Sequence, residues 1–334
     1  MRLQRNCCVF LLTGFFCLCA GCNQQKASRA VPIIFDSDIG PDYDDVGAIA
    51  ILHALAEQGK ANILATIASN QYEGIAGILK IFNTYYGAPD IPIGVPKTEG
   101  GVTLRDSQHW TDTLLANYKG GSVKNADVPD AVQLYRKILA AQPDTSVTIV
   151  TVGFLTNLAD LLRSAPDQYA PVDGKTLVKQ KVHLLVSMAG GFPSGKEFNI
   201  YSDLAASKYA LSQWPTTVIF SGVEIGNKIK TGLPLIHNDA IKNSPVKDVF
   251  RIAIPQDPGD RKGRSSWDET TVLVSINGPE PYFTLHPGRI IISDDGNNRW
   301  NDEARGQYYL VPKAPLDNVA EVINQLMMKA PMHR

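Results

Sequence analysis

One segment near the N-terminus reads Val31-Pro-Ile-Ile-Phe-Asp36-Ser-Asp38-Ile-Gly-Pro-Asp42-Tyr-Asp44-Asp45. Its first five residues predict a buried β-strand, and five carboxylates follow within ten residues. Apolar residues then recur at helical spacing over residues 46–56, which predicts a helix. Open α/β sheets place their ligands beyond the carboxyl ends of the strands, so the segment predicts a functional site as well as a fold class.

Strand and helix patterns continue to alternate along the chain. Short apolar runs predict strands at residues 63–68, 91–95, 147–152, 182–188 and 218–221. Helical spacing lies between or after them, at residues 130–141, 156–163 and 203–213. This rhythm predicts an α/β fold with a mostly parallel open sheet flanked by helices, a Rossmann-like core.

The remaining segments are assigned by composition. Residues 285–293 and 308–311 predict a late hairpin, and residues 315–329 predict a closing helix. Residues 97–127 and 254–264 are polar and rich in turn formers, which predicts loops at the rim of the site.

Composition excludes some classes of function. Of the 334 residues, 44% are hydrophobic and 19% are charged, which is typical of a globular protein with a sizeable core. The 32 basic and 33 acidic residues leave a formal net charge of −1, and no basic run is found. Nucleic acid is therefore not an expected partner.

The N-terminus has the pattern of an export signal. Arg2 and Arg5 precede an apolar run over residues 7–20 that is short for a membrane span. The run ends in Leu-Cys-Ala-Gly-Cys22, which resembles the lipobox of bacterial lipoproteins. That resemblance implies a signal peptide at 1–21, a lipidated Cys22, a tether at 22–30 and a domain at 31–334; an ordinary signal peptide is the alternative.

The lipobox also implies a location. A lipid-anchored protein would lie in the bacterial cell envelope, in the periplasm or at the outer membrane, and would meet the membrane only through its anchor. All five cysteines lie at or before position 22, so the mature domain is predicted to contain neither a disulfide nor a cysteine metal site.

The aspartate cluster requires positive charge. Two carboxylates ~4 Å apart repel by about 1 kcal/mol in water and by more in a cleft that excludes water. Oxygen ligands without histidine or cysteine favour a hard ion, and Ca²⁺ tolerates an irregular set of ligands. As an alternative, Asp44 or Asp45 alone could cap the helix. An EF-hand loop is disfavoured because its twelfth position, counted from Asp36, is Gly47 rather than glutamate.

With this motif the chain resembles the inosine-uridine preferring nucleoside hydrolases, in which Asp-x-Asp-x-Gly-x-Asp-Asp follows the first strand. Two additional residues lie within the motif here. The resemblance extends from residue 31 to the C-terminus and implies Ca²⁺-dependent hydrolysis of the N-glycosidic bond of ribonucleosides. It also implies a homo-oligomer, since family members are commonly dimers or tetramers.

The resemblance assigns the metal ligands. Asp38, Asp45 and Asp268 would bind Ca²⁺ through their side chains. Val152 would bind it through the backbone carbonyl, because it precedes the glycine of a Gly-x-Leu-Thr-Asn element. Asp38 would in addition take the proton of the attacking water, as the catalytic base.

The sugar contacts are implied in the same way. Asp44 would hold a ribose hydroxyl as a second catalytic carboxylate, and Asn70 would lie near the ribose and the water. Glu197 and Asn199, from a Glu-Phe-Asn element, would bind the 5′- and 3′-hydroxyls, with Met188 against the sugar face. The alternatives are a turn role for Asn70 and core packing for Met188.

The leaving-group side departs from the family. Many members have histidine before the last metal-binding aspartate, where this chain has Trp267, which could stack on a flat leaving group or pack the helix. His109 and Asp42 are the candidate substitute acids. The base specificity is therefore open.

Two other functions use some of the same residues. A haloacid-dehalogenase-type phosphatase also has Asp-x-Asp after a first strand and a later Asp-Asp pair, which Asp294 and Asp295 could supply; Gly40, however, stands where that family has Thr or Val. A non-catalytic nucleoside- or sugar-binding lipoprotein would use the same hydroxyl contacts for capture.

Overall fold

The computed structural model describes residues 30–98 and 100–332. The predicted signal peptide, the lipidation residue Cys22 and all of the predicted tether except its last residue lie outside these residues. Within them the strands are β1 (Val31–Ser37), β2 (Ala61–Ala68), β3 (Ile93–Gly94), β4 (Val147–Thr151), β5 (Val182–Met188), β6 (Ser194–Lys196), β7 (Thr217–Ser221), β8 (Lys230–Thr231), β9 (Arg264–Ser265), β10 (Phe283–Ile292), β11 (Asn297–Asn301) and β12 (Gln307–Pro312).

The helices lie between these strands and after the last one. They are α1 (Asp44–Glu57), α2 (Ile75–Tyr85), α3 (Trp110–Asn117), α4 (Ala131–Ala140), α5 (Thr156–Arg163), α6 (Gly174–Lys181), α7 (Phe198–Ser202), α8 (Leu204–Gln213), α9 (Val223–Gly226), α10 (Leu233–Ile236), α11 (Pro245–Ala253), α12 (Trp267–Asn277) and α13 (Leu316–Met327). No helix of the described ranges is both long and apolar enough to span a bilayer.

Most of the strands form one sheet, with the order β3-β2-β1-β4-β5-β7-β12-β10-β11-β6 in the described part of the chain. All pairs from β3 to β12 are parallel, and the last three pairs are antiparallel. The chain runs from β1 outward through β2 and β3, and then crosses to β4 on the other side of β1. The carboxyl ends of β1 and β4 therefore form the crevice in which ligands of open α/β folds bind.

Helices cover both faces of the sheet. Alternate side chains of β1 point to these opposite faces, so each face packs against a different set of helices. Ile33 and Phe35 belong to one buried apolar cluster together with residues of α1, α2, α11, α12 and α13. Ile34 belongs to a second cluster together with residues of α4, α5, α6 and α8. The predicted fold class, an α/β fold with a mostly parallel sheet flanked by helices, is confirmed.

The antiparallel end of the sheet differs from the prediction. The predicted hairpin partners do pair with each other as β10 and β12, but β11 lies between them in the chain and pairs with the other side of β10. The short strand β6 then extends the edge. β11 was not predicted because its sequence, Asn-Asn-Arg-Trp-Asn, has no apolar run.

Two predicted segments are shorter or more ordered than expected. The strand predicted at 91–95 is reduced to β3, two residues long. The segment 97–127, predicted as a loop, contains α3 and a 3₁₀ turn at Asn125–Asp127. It is attached to the site through Asn70, whose side chain donates to the carbonyl of Leu104 and accepts from its N–H, at 2.7 and 3.1 Å.

Candidate active site

A cavity of about 260 Å³ lies at the carboxyl ends of β1, β4 and β5. Its lining contains most of the predicted site residues. The lining residues are Asp38, Asp42, Asp44, Asp45, Val152, Met188, Lys196, Glu197, Phe198, Asn199, Tyr201, Val223, Trp267 and Asp268. A larger open groove of about 730 Å³ on the α8 and β10 side contains none of the predicted site residues, so the smaller cavity is the candidate active site.

Local bonds hold the turn between β1 and α1 in place. The hydroxyl of Ser37 donates to Asp45 Oδ1 at 2.5 Å and accepts from the N–H of Ile39 at 3.0 Å. Gly153 lets the end of β4 approach this turn, because a Cβ atom there would lie 2.3 Å from the backbone nitrogen of Asp38. The close approach of β4 to this turn therefore requires glycine at the first position of the Gly-x-Leu-Thr-Asn element.

Close packing of two helices brings the last carboxylate to the turn. α1 and α12 approach each other at Gly47, where a Cβ atom would lie 2.1 Å from Glu269 Oε1. As a result, Asp44, Asp45 and Asp268 each offer one carboxylate oxygen within 4.8 Å of the others. All three side chains are buried.

The charges of this cluster are not balanced. Burial raises the pKa of Asp38 well above its usual range, and the neighbouring carboxylates of Asp45 and Glu197 raise it further. Burial, followed by repulsion from neighbouring carboxylates, also raises the pKa values of Asp44 and Asp268. A cation would relieve this repulsion at neutral pH.

The donor set fits a hard cation. Asp45 Oδ2 is buried and has no hydrogen-bond partner among the described residues, which is rare for a buried carboxylate oxygen. Asp38, Asp45, Asp268 and the Val152 carbonyl line one cavity and could hold the ion together. The carbonyl oxygen of Val152 accepts from Asn199 Nδ2 at 2.9 Å and has a second lone pair.

The predicted sugar side is formed by the segment that leads into α7. Glu197 caps this helix, since its carboxylate accepts the N–H groups of Asn199 and Ile200 at 2.7 and 3.2 Å. Burial raises the pKa of Glu197 to about 7. Asn199 is held by the carbonyls of Val152 and Met188. The side chains of Glu197, Asn199 and Met188 therefore face the cavity from fixed positions.

Asn70 lies beside this cavity and does not line it. Its side chain is buried and donates to the carbonyls of Asp38 and Leu104 at 3.1 and 2.7 Å. Its oxygen accepts the N–H groups of Tyr72 and Leu104. The amide therefore ties the β1–α1 turn to the following loop, and the contact of Asn70 with the ribose stays a prediction.

The predicted leaving-group wall contains aromatic residues. Trp267 lines the cavity, and its indole N–H donates to the carbonyl of Val223 at 3.1 Å. Phe198 and Tyr201 stand in an edge-to-face pair at the mouth, where both are partly exposed. The indole ring of Trp267, which is fixed by its hydrogen bond to Val223, offers a flat surface for stacking.

The two candidate substitute acids lie in different surroundings. The His109 side chain is 66% exposed, its Nδ1 lies 3.4 Å from Asp112 Oδ2, and it does not line the cavity. Asp42 does line the cavity, and its carboxylate is ion-paired with Arg264.

The first aspartate of the motif lies outside the cavity. Asp36 is buried on the face of β1 that packs on α4 and α5, where it accepts from the Tyr135 hydroxyl at 2.7 Å and from Asn157 Nδ2 at 3.0 Å. Asp294, which the phosphatase alternative uses for its later pair, is ion-paired with Lys208 on the exposed β10–β11 turn. Neither Asp36 nor Asp294 lines the cavity, so the structure does not bring the aspartates of the phosphatase alternative together.

Several residues of the site were not predicted. Ser37, Arg264, Lys196 and Tyr201 belong to no motif that indicates this chemistry. Arg264 had one signal, since it lies three positions before Trp267 in the segment predicted as a rim loop.

Comparisons with known proteins agree with this geometry. A family model described as inosine-uridine preferring nucleoside hydrolase matches residues 33–324. The pyrimidine-specific ribonucleoside hydrolase RihA of Salmonella enteritidis is 30% identical over 233 residues, which cover 66% of this chain and 69% of that protein. RihA of Citrobacter koseri is 29% identical over 210 residues; the match covers 60% of this chain and 62% of that protein, less than two thirds of its length.

A solved structure has a similar fold. The inosine-uridine preferring nucleoside hydrolase from Bacillus anthracis matches with a TM-score of 0.69 and 15% sequence identity, over 89% of this chain and 99% of that chain. The family model covers most of the chain, including every described residue of the cavity. The resemblance inferred from the aspartate motif is confirmed, and the chain belongs to the inosine-uridine preferring nucleoside hydrolase family.

Proposed function

We propose that the protein hydrolyses the N-glycosidic bond of ribonucleosides to ribose and free base, with Ca²⁺ as its cofactor. One observation carries this proposal. The residues Asp38, Asp45 and Asp268 line the same 260 Å³ cavity as Glu197 and Asn199, the predicted sugar contacts. This arrangement supports a hard cation and a polyol bound next to each other.

Each residue of the proposed site then has its own role in the reaction. When bound, the ion supplies Lewis acidity that lowers the pKa of a water molecule. Asp38 accepts the proton of this water, a contribution of typically ~10² to 10⁴-fold. Asp44 faces the positive charge that develops on the ribosyl group in an oxocarbenium-like transition state. Contacts of Glu197 and Asn199 with the sugar hydroxyls hold the reacting carbon in place.

The leaving-group wall favours a pyrimidine. No histidine is found among the described residues that line the cavity, and the indole of Trp267 offers stacking rather than a proton. In family members with histidine before the last metal-binding aspartate, that histidine is the candidate for protonating a purine, and this wall, in its described residues, lacks it. The RihA relatives carry the name pyrimidine-specific, which supports the same choice.

Release of free ribose from uridine, cytidine, inosine and adenosine, with and without EDTA, tests the proposal. Expected are faster release from the two pyrimidine nucleosides, loss of activity in EDTA and recovery with Ca²⁺. Recovery with Mg²⁺ alone would contradict the assignment of the ion. Tight binding of nucleosides without turnover would instead support the capture alternative.

We also propose that the protein is lipid-anchored in the cell envelope through Cys22. The support is the lipobox-like sequence alone. Expression in a bacterium that is fed a clickable fatty acid should label the native chain and place it in the membrane fraction. A Cys22→Ala variant should be unlabelled, and equal labelling of the two would contradict the proposal. Sedimentation of the purified protein would test the predicted homo-oligomer.

A further inference from the structure

Arg264 lies behind the cavity wall among three carboxylates. Its side chain is 9% exposed and is ion-paired with Asp42. Its guanidinium also contacts Asp44, from Nη2 to Oδ1 at 3.0 Å, and Asp260, from Nη1 to Oδ2 at 3.2 Å. A buried arginine with three acidic partners is held in one orientation by its planar donors.

Two aromatic rings fix the same group. The Cζ atom of Arg264 lies 4.5 Å from the ring centre of Tyr43 and 4.8 Å from that of Trp267. The hydroxyl of Tyr43 donates to Asp260 Oδ2 at 2.5 Å. The guanidinium therefore links the β1–α1 turn to the segment that leads into α12, and it supports Trp267 from behind.

Asp44 has two competing roles in this site. One of its oxygens lies close enough to Asp45 and Asp268 to join them around an ion. Its Oδ1, however, accepts from both Nε and Nη2 of Arg264, at 3.3 and 3.0 Å, and its Oδ2 accepts the N–H of Asp268 at 3.3 Å. Both oxygens of Asp44 are thus engaged, in contrast to the unpartnered Oδ2 of Asp45.

We infer that Arg264 is a positioning residue that keeps Asp44 out of the metal shell and presents it to the sugar. The inference rests on the proposed function, because it concerns the same metal and sugar sites. Arg264 forms two bonds to Asp44 Oδ1, and its charge lowers the attraction of the cluster for a cation. Asp42, one of the residues in the expanded motif, is ion-paired with the same Nη2 that contacts Asp44.

An Arg264→Gln variant separates this role from simple support of the fold. Without the guanidinium, Asp44 can turn to the ion. Titration calorimetry with Ca²⁺ alone should therefore show binding at least about tenfold tighter than in the native protein. The KM for uridine should rise by about tenfold or more, with a smaller change in kcat. A site that is merely damaged would bind both Ca²⁺ and uridine more weakly.

Two controls sharpen the test. Arg261→Gln removes an exposed cation from the same segment and should leave the Kd for Ca²⁺ within about twofold. Arg264→Lys keeps the charge without the planar fork, so the Kd should stay within about threefold while the KM rises. If Arg264→Gln does not fold, Arg264→Lys carries the test, and an unchanged KM in that variant would overturn the inference.

Asp44→Asn completes a double-mutant cycle. In the native background it should weaken Ca²⁺ binding only slightly, and in the Arg264→Gln background it should cancel the gained affinity. An equal effect in both backgrounds would overturn the inference and leave the proposed function intact. A native protein that binds no Ca²⁺ would overturn both.

Discussion

In the proposed mechanism Asp38 has two roles that the family resemblance implies, as an ion ligand and as the base. It is buried, and its backbone N–H lies against Gly153 at the end of β4. A side chain at position 153 would collide with the backbone of Asp38 and shift its carboxylate in the cavity. The side chain is therefore the most sensitive single position of the proposed mechanism.

An Asp38→Asn variant is expected to lose turnover of uridine by at least ~10² to 10⁴-fold, because the amide can neither accept the proton nor bind the ion as strongly. Its circular dichroism and melting temperature should stay close to the native values. Asp90→Asn, at an exposed carboxylate, is the matched control and should keep native turnover. Full activity of Asp38→Asn would contradict the assignment.

His109 is expected to play no part in turnover. Its side chain is exposed, lies next to Asp112 and does not line the cavity. A His109→Ala variant should keep kcat/KM for uridine and for inosine within about twofold of native. A tenfold loss on inosine alone would restore it as a purine acid.

Helix α4 is joined to the segment after α5 through one buried cation. The Arg136 side chain is 2% exposed and donates to Asp167 Oδ1 at 3.1 Å, to the carbonyl of Ala170 at 3.1 Å and to that of Val172 at 2.9 Å. These bonds join two elements that are more than 30 residues apart in the sequence. Removal of the cation leaves several buried acceptors without a donor.

Arg136→Ala should lower the free energy of unfolding by about 1 to 3 kcal/mol in urea denaturation, because the carbonyls of Ala170 and Val172 lose their donor. Turnover of the folded variant should stay native, because Arg136 does not line the cavity. Arg163→Ala is the control, since Arg163 forms an exposed pair with Asp160 and its loss should cost about 1 kcal/mol or less. Equal losses in the two variants would contradict the argument.

The stability of the whole molecule should depend on a histidine far from the site. His53 of α1 is buried, its Nε2 lies 3.0 Å from Asn83 Oδ1, and its ring stacks on Tyr86. Burial lowers its pKa to about 4 from an ordinary value of 6.5. Between these two values the unfolded chain binds a proton that the folded chain does not, so stability is lost as pH falls through this window.

A His53→Gln variant isolates this effect, since the carboxylates of the site titrate equally in both proteins. The stability advantage of the native protein over the variant should shrink by about 3 kcal/mol between pH 7 and pH 4. Urea denaturation at intervals across this range measures it. Parallel pH profiles for the two proteins would show that His53 is not the titrating group.

Local sequence patterns were sufficient for the parallel half of the fold. β1, β4 and β5 are near-continuous apolar runs, because strands that are buried on both faces cannot alternate with polar residues. β11 and β6 lack such runs, since β11 is held at the edge by pairing with β10, and β6 by pairing with β11, rather than by their own burial. No local signal could have identified them.

For the site, the order of residues along the chain was enough to show which carboxylates follow the first strand, and hence an acidic cluster and the family. Chain neighbours share one strand end, so this information is local. The tertiary packing places Asp36 on the face that packs on α4 and α5, engages the amide of Asn70 and leaves His109 outside the cavity. It also paired Arg264 with Asp44, 220 positions away. Such choices depend on how helices pack across the sheet, and spacing along the chain carries no record of that packing.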